Sequence, residues 1–313
     1  MKSLIYCLLL LVNPHVIAAT NTYDPSQPKF AVNSSNIVFG DQKKVASKLY
    51  FPEEQKNNPV ILFSHGLGGS KEGSAYLGKH WASRGYVVVF IQHTGSDNSV
   101  WQGKNKQEAI SALKGAASVE QLRQRLQDVE ILLSELHKEN YNKNSVLYGR
   151  LDSSKIGMSG HSFGAKTAQA VSGEQPYKML PITAAILMSP SPSRYIAPAV
   201  SFGKVPIPWL CMTGTNDGSP KQIINTLPSD RRKVFDALPM SGDMYELVLN
   251  NAEHSAFTEH AVDKKRNPNH HAAILAVSSA FWDAYLSDSK EAKDWLVTSP
   301  KTVLEINDIW QSK

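Results

Sequence analysis

Gly160-His161-Ser162-Phe163-Gly164 has the form G-x-S-x-G, and the prediction of the fold starts from this motif. Residues 155–159 before it form a short, partly apolar run that can end a strand, and residues 165–171 after it are good helix formers. A strand that enters a helix through one sharp turn strains the serine backbone, and the flanking glycines leave room for that turn. The motif therefore predicts an exposed Ser162 hydroxyl at the N-terminus of a helix, where the helix dipole favours negative charge.

Short apolar segments and helical patterns alternate on both sides of the motif. The segments that we interpret as buried strands are 59–64, 86–91, 182–188, 207–212 and 245–249. We expect the last of these to be the final strand of the sheet. Strands that alternate with helices predict an α/β fold, with a mostly parallel sheet that has helices on both faces.

The helices are expected at 76–84 and 270–286, and a third begins after Ser118. Gln121 lies three residues beyond Ser118, a spacing that predicts a capping box. Residues 189–206 are rich in proline and serine, and we interpret them as a loop.

The composition indicates a globular protein. The chain has 313 residues, of which 42% are hydrophobic and 19% are charged, so we expect one domain over residues 19–313. The formal net charge is +5, and the lysines and arginines are scattered rather than gathered into a stripe. This distribution predicts a solvated surface and no nucleic-acid partner.

Residues 1–18 have the pattern of a secretory signal peptide. Lys2 supplies a positive start, and residues 4–12 are apolar. That run is too short to span a bilayer, so we expect no stable membrane insertion. Cys7 lies inside the signal, which leaves Cys211 as the one cysteine of the mature chain. We therefore expect a secreted or periplasmic protein without an internal disulfide.

Polar residues gather where the predicted strands end. Ligands of open α/β sheets bind beyond the carboxyl ends of the strands. The segment 65–70, called the glycine loop below, lies at that edge with Ser162, Asp217 and His254. A run of glycines there lets backbone N–H groups turn inward toward a ligand. We expect the functional site at this edge.

A serine hydroxyl is a poor nucleophile near neutral pH and needs a base and an orienting carboxylate. His254 follows a late strand, and Asp217 is the aspartate between Ser162 and His254 that directly follows an apolar strand. When the serine of a G-x-S-x-G turn is the nucleophile, its partners follow it in the chain in the order aspartate, then histidine, and Asp217 and His254 have this order. His93 is the rival base, but it precedes the serine in the chain, and His161 is expected to pack beside the nucleophile.

Acyl transfer also needs donors for the oxyanion of the tetrahedral intermediate. The N–H of Phe163, which follows the nucleophile, is one donor, and the glycine loop should supply the second. We choose Leu67 for that second donor. Trp101 is the bulky residue expected to contact the substrate.

Four motifs together resemble those of α/β-hydrolases, and they lie at 65–70, 160–164, 213–217 and 252–254. Over residues 45–286 the chain is similar to the dienelactone-hydrolase-like and platelet-activating-factor-acetylhydrolase-like serine esterases. The resemblance implies the α/β-hydrolase fold and ester hydrolysis.

The same resemblance implies roles for individual residues. It makes Ser162, Asp217 and His254 the catalytic triad and Leu67 and Phe163 the oxyanion hole. Dienelactone hydrolases proper use a cysteine where Ser162 stands, so lactone opening is not carried over.

We therefore expect a serine carboxylic-ester hydrolase that works through an acyl-enzyme intermediate. Neither 98–114 nor 189–206 has the pattern of a large apolar lid. An open cleft, walled in part by Trp101 and the 189–206 loop, should favour short or medium acyl chains of small esters or of exposed polymer ends. The residue patterns predict no cofactor and no metal site, and they leave the oligomeric state open.

Three alternatives stay open at this point. The same triad would serve a serine peptidase on the same fold, and the architecture also suits a polyester or phospholipid acyl hydrolase. The third is a non-catalytic binding module, against which the complete set of serine, aspartate and histidine speaks.

Overall fold

The computed structural model describes residues 23–24, 27–219, 221–240, 243–259, 267–298 and 300–313. The predicted signal peptide at 1–18, with Cys7, lies outside the described residues. Among the residues that are described, no helix combines the length and the apolar character that a bilayer crossing requires. The division of the chain into a signal and one domain stays a prediction.

The described part of the chain builds a sheet of nine strands. The strands are β1 (Val32–Phe39), β2 (Val45–Pro52), β3 (Asn58–Ser64), β4 (Val87–Ile91), β5 (Leu151–His161), β6 (Ala184–Met188), β7 (Trp209–Asn216), β8 (Met244–Glu253) and β9 (Ile309–Ser312). Their order across the sheet is β1-β2-β4-β3-β5-β6-β7-β8-β9. The strands from β4 to β8 in this order are parallel, whereas β1, β2 and β9 join through antiparallel pairings. The prediction of a mostly parallel sheet is confirmed.

Helices cover both faces of the sheet. They are α1 (Ala75–Ser83), α2 (Lys106–Ala116), α3 (Val119–Tyr141), α4 (Phe163–Ser172), α5 (Pro198–Phe202), α6 (Pro228–Asp236), α7 (Pro268–Leu286) and α8 (Lys290–Thr298). One apolar core lies beneath α1, α7 and α8 and contains Trp81 and Trp282. The other lies beneath α3, α4, α5 and α6 and contains Leu132 and Phe235.

The central strands are apolar without interruption because they face a core on each side. In β3, Ile61 and Phe63 pack in one core, while Val60 and Leu62 pack in the other. Successive side chains of a strand point to opposite faces, so a sheet between two helix layers buries every position. This two-sided burial is the reason that these strands can be recognised in the sequence.

Two details of the predicted elements are wrong. The strand predicted at 245–249 is not the last, since β9 pairs with β8 at the sheet edge. β9 is four residues long, and its side chains are exposed or half-buried, so it has no apolar run to reveal it. Residues 189–206 are not loop throughout, because α5 begins at Pro198, whose fixed φ suits the first turn of a helix.

The capping box predicted at Ser118 forms only in part. Ser118 Oγ accepts a hydrogen bond from the Gln121 N–H at 3.2 Å. Gln121 Oε1, however, has no hydrogen-bond partner within the described ranges. A complete capping box starts α2 instead, where Asn105 and Glu108 exchange hydrogen bonds of 3.0 and 3.1 Å.

Candidate active site

Ser162 lies in a strained turn between β5 and α4. Its φ of 58° and ψ of −114° fall outside the regions that residues with a side chain ordinarily adopt. A Cβ atom on Gly164 would overlap the Ser64 carbonyl oxygen, and one on Gly160 would overlap the Gly164 carbonyl oxygen. These two positions therefore require glycine, and the turn carries the Ser162 hydroxyl at the start of α4.

Ser162, His254 and Asp217 form one hydrogen-bonded chain. Ser162 Oγ lies 2.9 Å from His254 Nε2, and His254 Nδ1 lies 2.7 Å from Asp217 Oδ1. Thr213 Oγ1 donates a further bond of 2.8 Å to the other carboxylate oxygen of Asp217. The three residues that the sequence singles out are brought together because β5, β7 and β8 end at the same edge of the sheet.

Asp217 is fully buried, and a buried carboxylate needs partners that compensate for its lost hydration. Arg231 on α6 is one such partner, with its Nε 3.1 Å from Asp217 Oδ1. Burial by itself raises the pKa of Asp217, but the hydrogen bond with His254 and the charge of Arg231 outweigh it and hold that pKa below its ordinary value. The carboxylate is therefore ionised at neutral pH and can orient the imidazole.

Arg231 is a site residue that the sequence analysis missed. Its side chain is buried, and it also donates to the Ser189 carbonyl at 2.8 Å and to Ser219 Oγ at 2.7 Å. It thereby ties together the segments that follow β6 and β7. A signal was present, because Arg231 shares the buried face of α6 with Val234 and Phe235 at helical spacing.

His161 packs beside the turn at Ser162, as the sequence suggested. Its ring centroid is 4.6 Å from that of His254, and its Nε2 donates to the His254 carbonyl oxygen at 3.0 Å. Burial, together with the neighbouring His254, lowers the pKa of His161 well below the ordinary value. A neutral His161 therefore supports the backbone of His254 without adding a charge.

Ser64, His93 and Asp128 form a second hydrogen-bonded series of serine, histidine and aspartate. Ser64 Oγ lies 2.9 Å from His93 Nε2, and His93 Nδ1 lies 2.8 Å from Asp128 Oδ2. The His93 side chain has 0% exposed area, whereas 24% of the His254 side chain is exposed. Burial and the charge of Arg125 lower the pKa of His93 well below the ordinary value. The rival base is thus directed at a buried serine and has no access to substrate.

The glycine loop lies against Ser162. A Cβ atom on Gly66 would come within 3.6 Å of the Ser162 Cβ. No described residue accepts a hydrogen bond from the Leu67 N–H. The first N–H groups of a helix also lack a partner within it, and Phe163 is the first residue of α4. Within the described residues, the N–H groups of Leu67 and Phe163 are thus both left without an acceptor.

An open cavity of about 960 Å³ lies in front of the serine, lined by Ser162, His254 and Leu67 among others. Trp101 forms part of its wall, where the indole Nε1 donates to the Gly68 carbonyl at 2.7 Å. The prediction that residues 189–206 form part of the cavity wall is wrong. The segments that follow β7 and β8 line the cavity instead. No large lid domain covers the cavity within the described residues.

Comparisons with known proteins identify relatives of this chain. The family model of the platelet-activating factor acetylhydrolase, isoform II, matches residues 26–193. Cutinase est1 of Thermobifida alba is 22% identical over 299 residues, which are 91% of this chain and 84% of that protein. Bis(hydroxyethyl) terephthalate hydrolase of Streptomyces coelicolor is 24% identical over 264 residues, 83% of this chain and 68% of that protein.

A mammalian relative matches over a shorter stretch. The platelet-activating factor acetylhydrolase of Cavia porcellus is 32% identical over 146 residues, which are 38% of this chain. The chain spans only 33% of that relative's own length.

The family match includes the glycine loop and the whole turn around Ser162, while Asp217 and His254 lie beyond it. The strained serine turn between a parallel strand and a helix has the geometry of the nucleophile elbow of α/β-hydrolases. The match covers more than half of the chain. This chain therefore belongs to the platelet-activating factor acetylhydrolase, isoform II, family, and it is an α/β-hydrolase of the serine esterase type.

Proposed function

We propose that this chain hydrolyses carboxylic esters with Ser162 as nucleophile, His254 as general base and Asp217 as the carboxylate that orients the base. The hydrogen-bonded chain of these three residues, open to the cavity, is the observation that carries the proposal. His254 Nε2 takes the Ser162 proton as Oγ attacks the ester carbonyl, and it then gives that proton to the leaving alcohol. Water attacks the resulting acyl-enzyme with the same base and releases the carboxylic acid.

The oxyanion of each tetrahedral intermediate is held by the N–H groups of Leu67 and Phe163 in this proposal. The absence of a partner for the Leu67 N–H among the described residues supports it, as does the position of Phe163 at the start of α4. Loss of one such donor costs about 100- to 1,000-fold in kcat in serine hydrolases. The dipole of α4 adds to the stabilisation of negative charge at the same place.

We propose further that the site prefers short or medium acyl chains. The cavity is open, and within the described residues it has no lid that would shield a long chain from water. Trp101 provides a flat apolar wall against which a small acyl or alcohol group can pack. This preference is tested on p-nitrophenyl esters from C2 to C16. We expect kcat/KM to be highest at or below about C8, and a maximum at C16 that appears only above the solubility limit would contradict the proposal.

Aromatic diesters and the exposed ends of polyesters are a second candidate substrate class. The observation that favours them is coverage, since the cutinase and the terephthalate-ester hydrolase match 91% and 83% of this chain. The mammalian acetylhydrolase matches only 38% of it. Bis(hydroxyethyl) terephthalate and a short-chain phospholipid should therefore be assayed in parallel, and we expect the terephthalate ester to be cleaved faster.

The experiment that tests the catalytic assignment uses a fluorophosphonate probe, which forms a covalent bond with an activated serine. We expect the purified protein to be labelled at Ser162 and Ser162→Ala to be unlabelled and inactive on p-nitrophenyl acetate. Peptide p-nitroanilides serve as the comparison substrates, and faster cleavage of these would favour the peptidase alternative. An unlabelled wild-type protein would refute Ser162 as the nucleophile.

We also propose that the protein is exported, on the pattern of residues 1–18. N-terminal sequencing of the protein after secretion should find a chain that begins near residue 19. A product that still carries Met1 would contradict cleavage of a signal.

A further inference from the structure

Arg125 on α3 is a fully buried arginine beneath the glycine loop. Its Nη1 donates to the His65 carbonyl at 2.7 Å, and its Nε donates to Ser96 Oγ at 2.8 Å. No ion pair between described residues includes this guanidinium. The carboxylates of Asp97 and Asp128 act on it only from beyond ion-pair distance, so its direct contacts are with hydroxyl and carbonyl oxygens near the glycine loop.

The guanidinium also contacts the carbonyl side of the Gly66–Leu67 peptide. Gly66 O accepts hydrogen bonds from Arg125 Nη2 at 3.4 Å, from His65 Nδ1 at 2.7 Å and from the Gly69 N–H at 3.1 Å. In a planar trans peptide the carbonyl and the following N–H point in opposite directions. Donors that fix the Gly66 carbonyl on the buried side therefore turn the Leu67 N–H toward the cavity.

The same guanidinium contacts the side chain of Phe163, the residue whose N–H is the other proposed oxyanion donor. Arg125 Cζ lies 4.4 Å from the centroid of the Phe163 ring, within the range of a cation–π contact. The Phe163 side chain and the Leu67 peptide are thus held by one buried group that lies on a third element of the fold. Ser96 completes the brace, since its carbonyl accepts from the Gly68 N–H at 2.9 Å and from Arg125 Nη2 at 3.3 Å.

We propose that Arg125 is the positioning residue of the oxyanion hole, which sets the Leu67 and Phe163 N–H groups relative to Ser162. This inference rests on the proposed function. The planar fork of arginine suits the role because its Nη1 and Nη2 donors reach the His65 and Gly66 carbonyls in a fixed relative geometry, whereas the donors of an ammonium rotate freely. Burial lowers the pKa of Arg125 to about 9, so the group is still charged at neutral pH.

Arg125→Met tests the proposal, with kcat and KM measured separately on p-nitrophenyl acetate. We expect kcat to fall about 10- to 100-fold, with KM changed by less than about 2-fold, because donors that are displaced act on the transition state more than on the bound ester. Arg125→Lys keeps the charge but not the fork, and should recover only part of the rate.

Phenylboronic acid supplies a readout that a purely structural role would not move. It forms a tetrahedral adduct with the reactive serine and places an oxygen in the oxyanion hole. We expect its affinity to fall by the same factor as kcat/KM in Arg125→Met. Arg84→Met is the matched control, because Arg84 is also buried but pairs with Asp283 at 3.3 Å, away from the cavity. That variant should lose thermal stability and keep both kcat and boronate affinity.

Ser96→Ala serves as a second test with a smaller risk to folding. It removes the hydroxyl that accepts from Arg125 Nε and leaves the guanidinium in place. We expect a fall of a few-fold in kcat and in boronate affinity at constant KM. If Arg125→Met does not fold, Ser96→Ala and Arg125→Lys decide the question.

The outcomes separate this inference from the proposed function. An active, fluorophosphonate-labelled wild type whose folded Arg125 and Ser96 variants keep kcat and boronate affinity would refute only the role of Arg125. A wild type without labelling and without esterase activity would refute the proposed function, and this inference with it.

Discussion

His254 and His93 each lie between a serine hydroxyl and an aspartate, yet their surroundings differ. The His254 side chain is 24% exposed beside the cavity, and that of His93 has no exposed area. Hydrogen-bond geometry alone would not distinguish the two chains, since the distances agree within 0.1 Å. Access to the cavity, and the backbone strain at Ser162, are what distinguish the set that we propose as catalytic from the buried one.

This difference predicts opposite phenotypes for the two histidines. His254→Ala should lower kcat by about 10⁵- to 10⁶-fold, because the nucleophile and its base act as a unit, and should change Tm little. His93→Gln should lower Tm, because it leaves buried hydrogen-bonding groups unpaired, and should still allow fluorophosphonate labelling of Ser162. Kinetics and thermal unfolding of both variants check this, and an active His254→Ala would contradict the assignment of the base.

At the scale of elements, the site depends on where strands end. β5, β7 and β8 belong to the parallel run β5-β6-β7-β8, so the turns that follow them lie at the same edge of the sheet. The connection from β5 into α4 is a single residue, Ser162. It brings the backbone of Gly164 against the end of β3, with room for hydrogen but not for a methyl group at its Cα.

Gly164→Ala should therefore destabilise the fold by about 3 kcal/mol or more, since neither strand nor helix can yield without losing backbone contacts. Gly115→Ala is a matched control, because Gly115 is an exposed residue of α2 and a Cβ there meets nothing within 4 Å. That change should stabilise the protein by about 0.5–1 kcal/mol through helix propensity. Denaturant unfolding of both variants measures the difference, and equal midpoints would contradict the packing of the elbow.

At the scale of the whole molecule, the buried histidines couple stability to pH. Burial is the first cause that lowers the pKa of His65, His93 and His161 well below 6.5, and it lowers that of His80 to about 4. Below pH 6.5 the unfolded chain binds protons that the folded chain does not. The free energy of unfolding is therefore not reduced by these histidines above pH 6.5, and it decreases as the pH falls below that value.

We expect Tm to decline as the pH is lowered from 6.5 toward 5, with each of these histidines contributing up to about 1.4 kcal/mol per pH unit. The carboxyl groups of Asp128, Glu174 and Glu246 act in the opposite direction, because burial raises their pKa values. Their effect lies between the ordinary carboxyl pKa and the raised pKa of the folded state, so it opposes that of the histidines as the pH falls. Calorimetric scans between pH 7.5 and 5 measure the sum.

His80→Gln removes the contribution of one buried histidine to this pH dependence. His80 bonds to Ser279 Oγ at 2.9 Å on the face of α1 that meets α7, and it does not line the cavity. The variant should keep esterase activity and should show a shallower loss of stability between pH 6.5 and 4. An unchanged slope would mean that His80 is protonated in the folded protein.

The sequence by itself determined the sheet, the serine turn and the three residues at its edge. Parallel strands that are buried on both sides must be apolar, and the elbow at Gly160 and Gly164 leaves no alternative to glycine. Asp217 and His254 could be selected because each directly follows a strand that ends at the same edge. These features are local in the chain, and local patterns carry them.

Tertiary structure decided the rest, because the features depend on contacts between distant segments. β9 is a short edge strand, and only its pairing with β8 defines it. Arg125 and Arg231 lie on the apolar faces of their helices. The role of a buried arginine cannot be inferred from that position until the oxygens that accept its hydrogen bonds are known. His93 and His254 are both histidines that follow a strand, so their sequence positions do not distinguish them. The burial of one and the exposure of the other follow from the segments that pack against them in the fold.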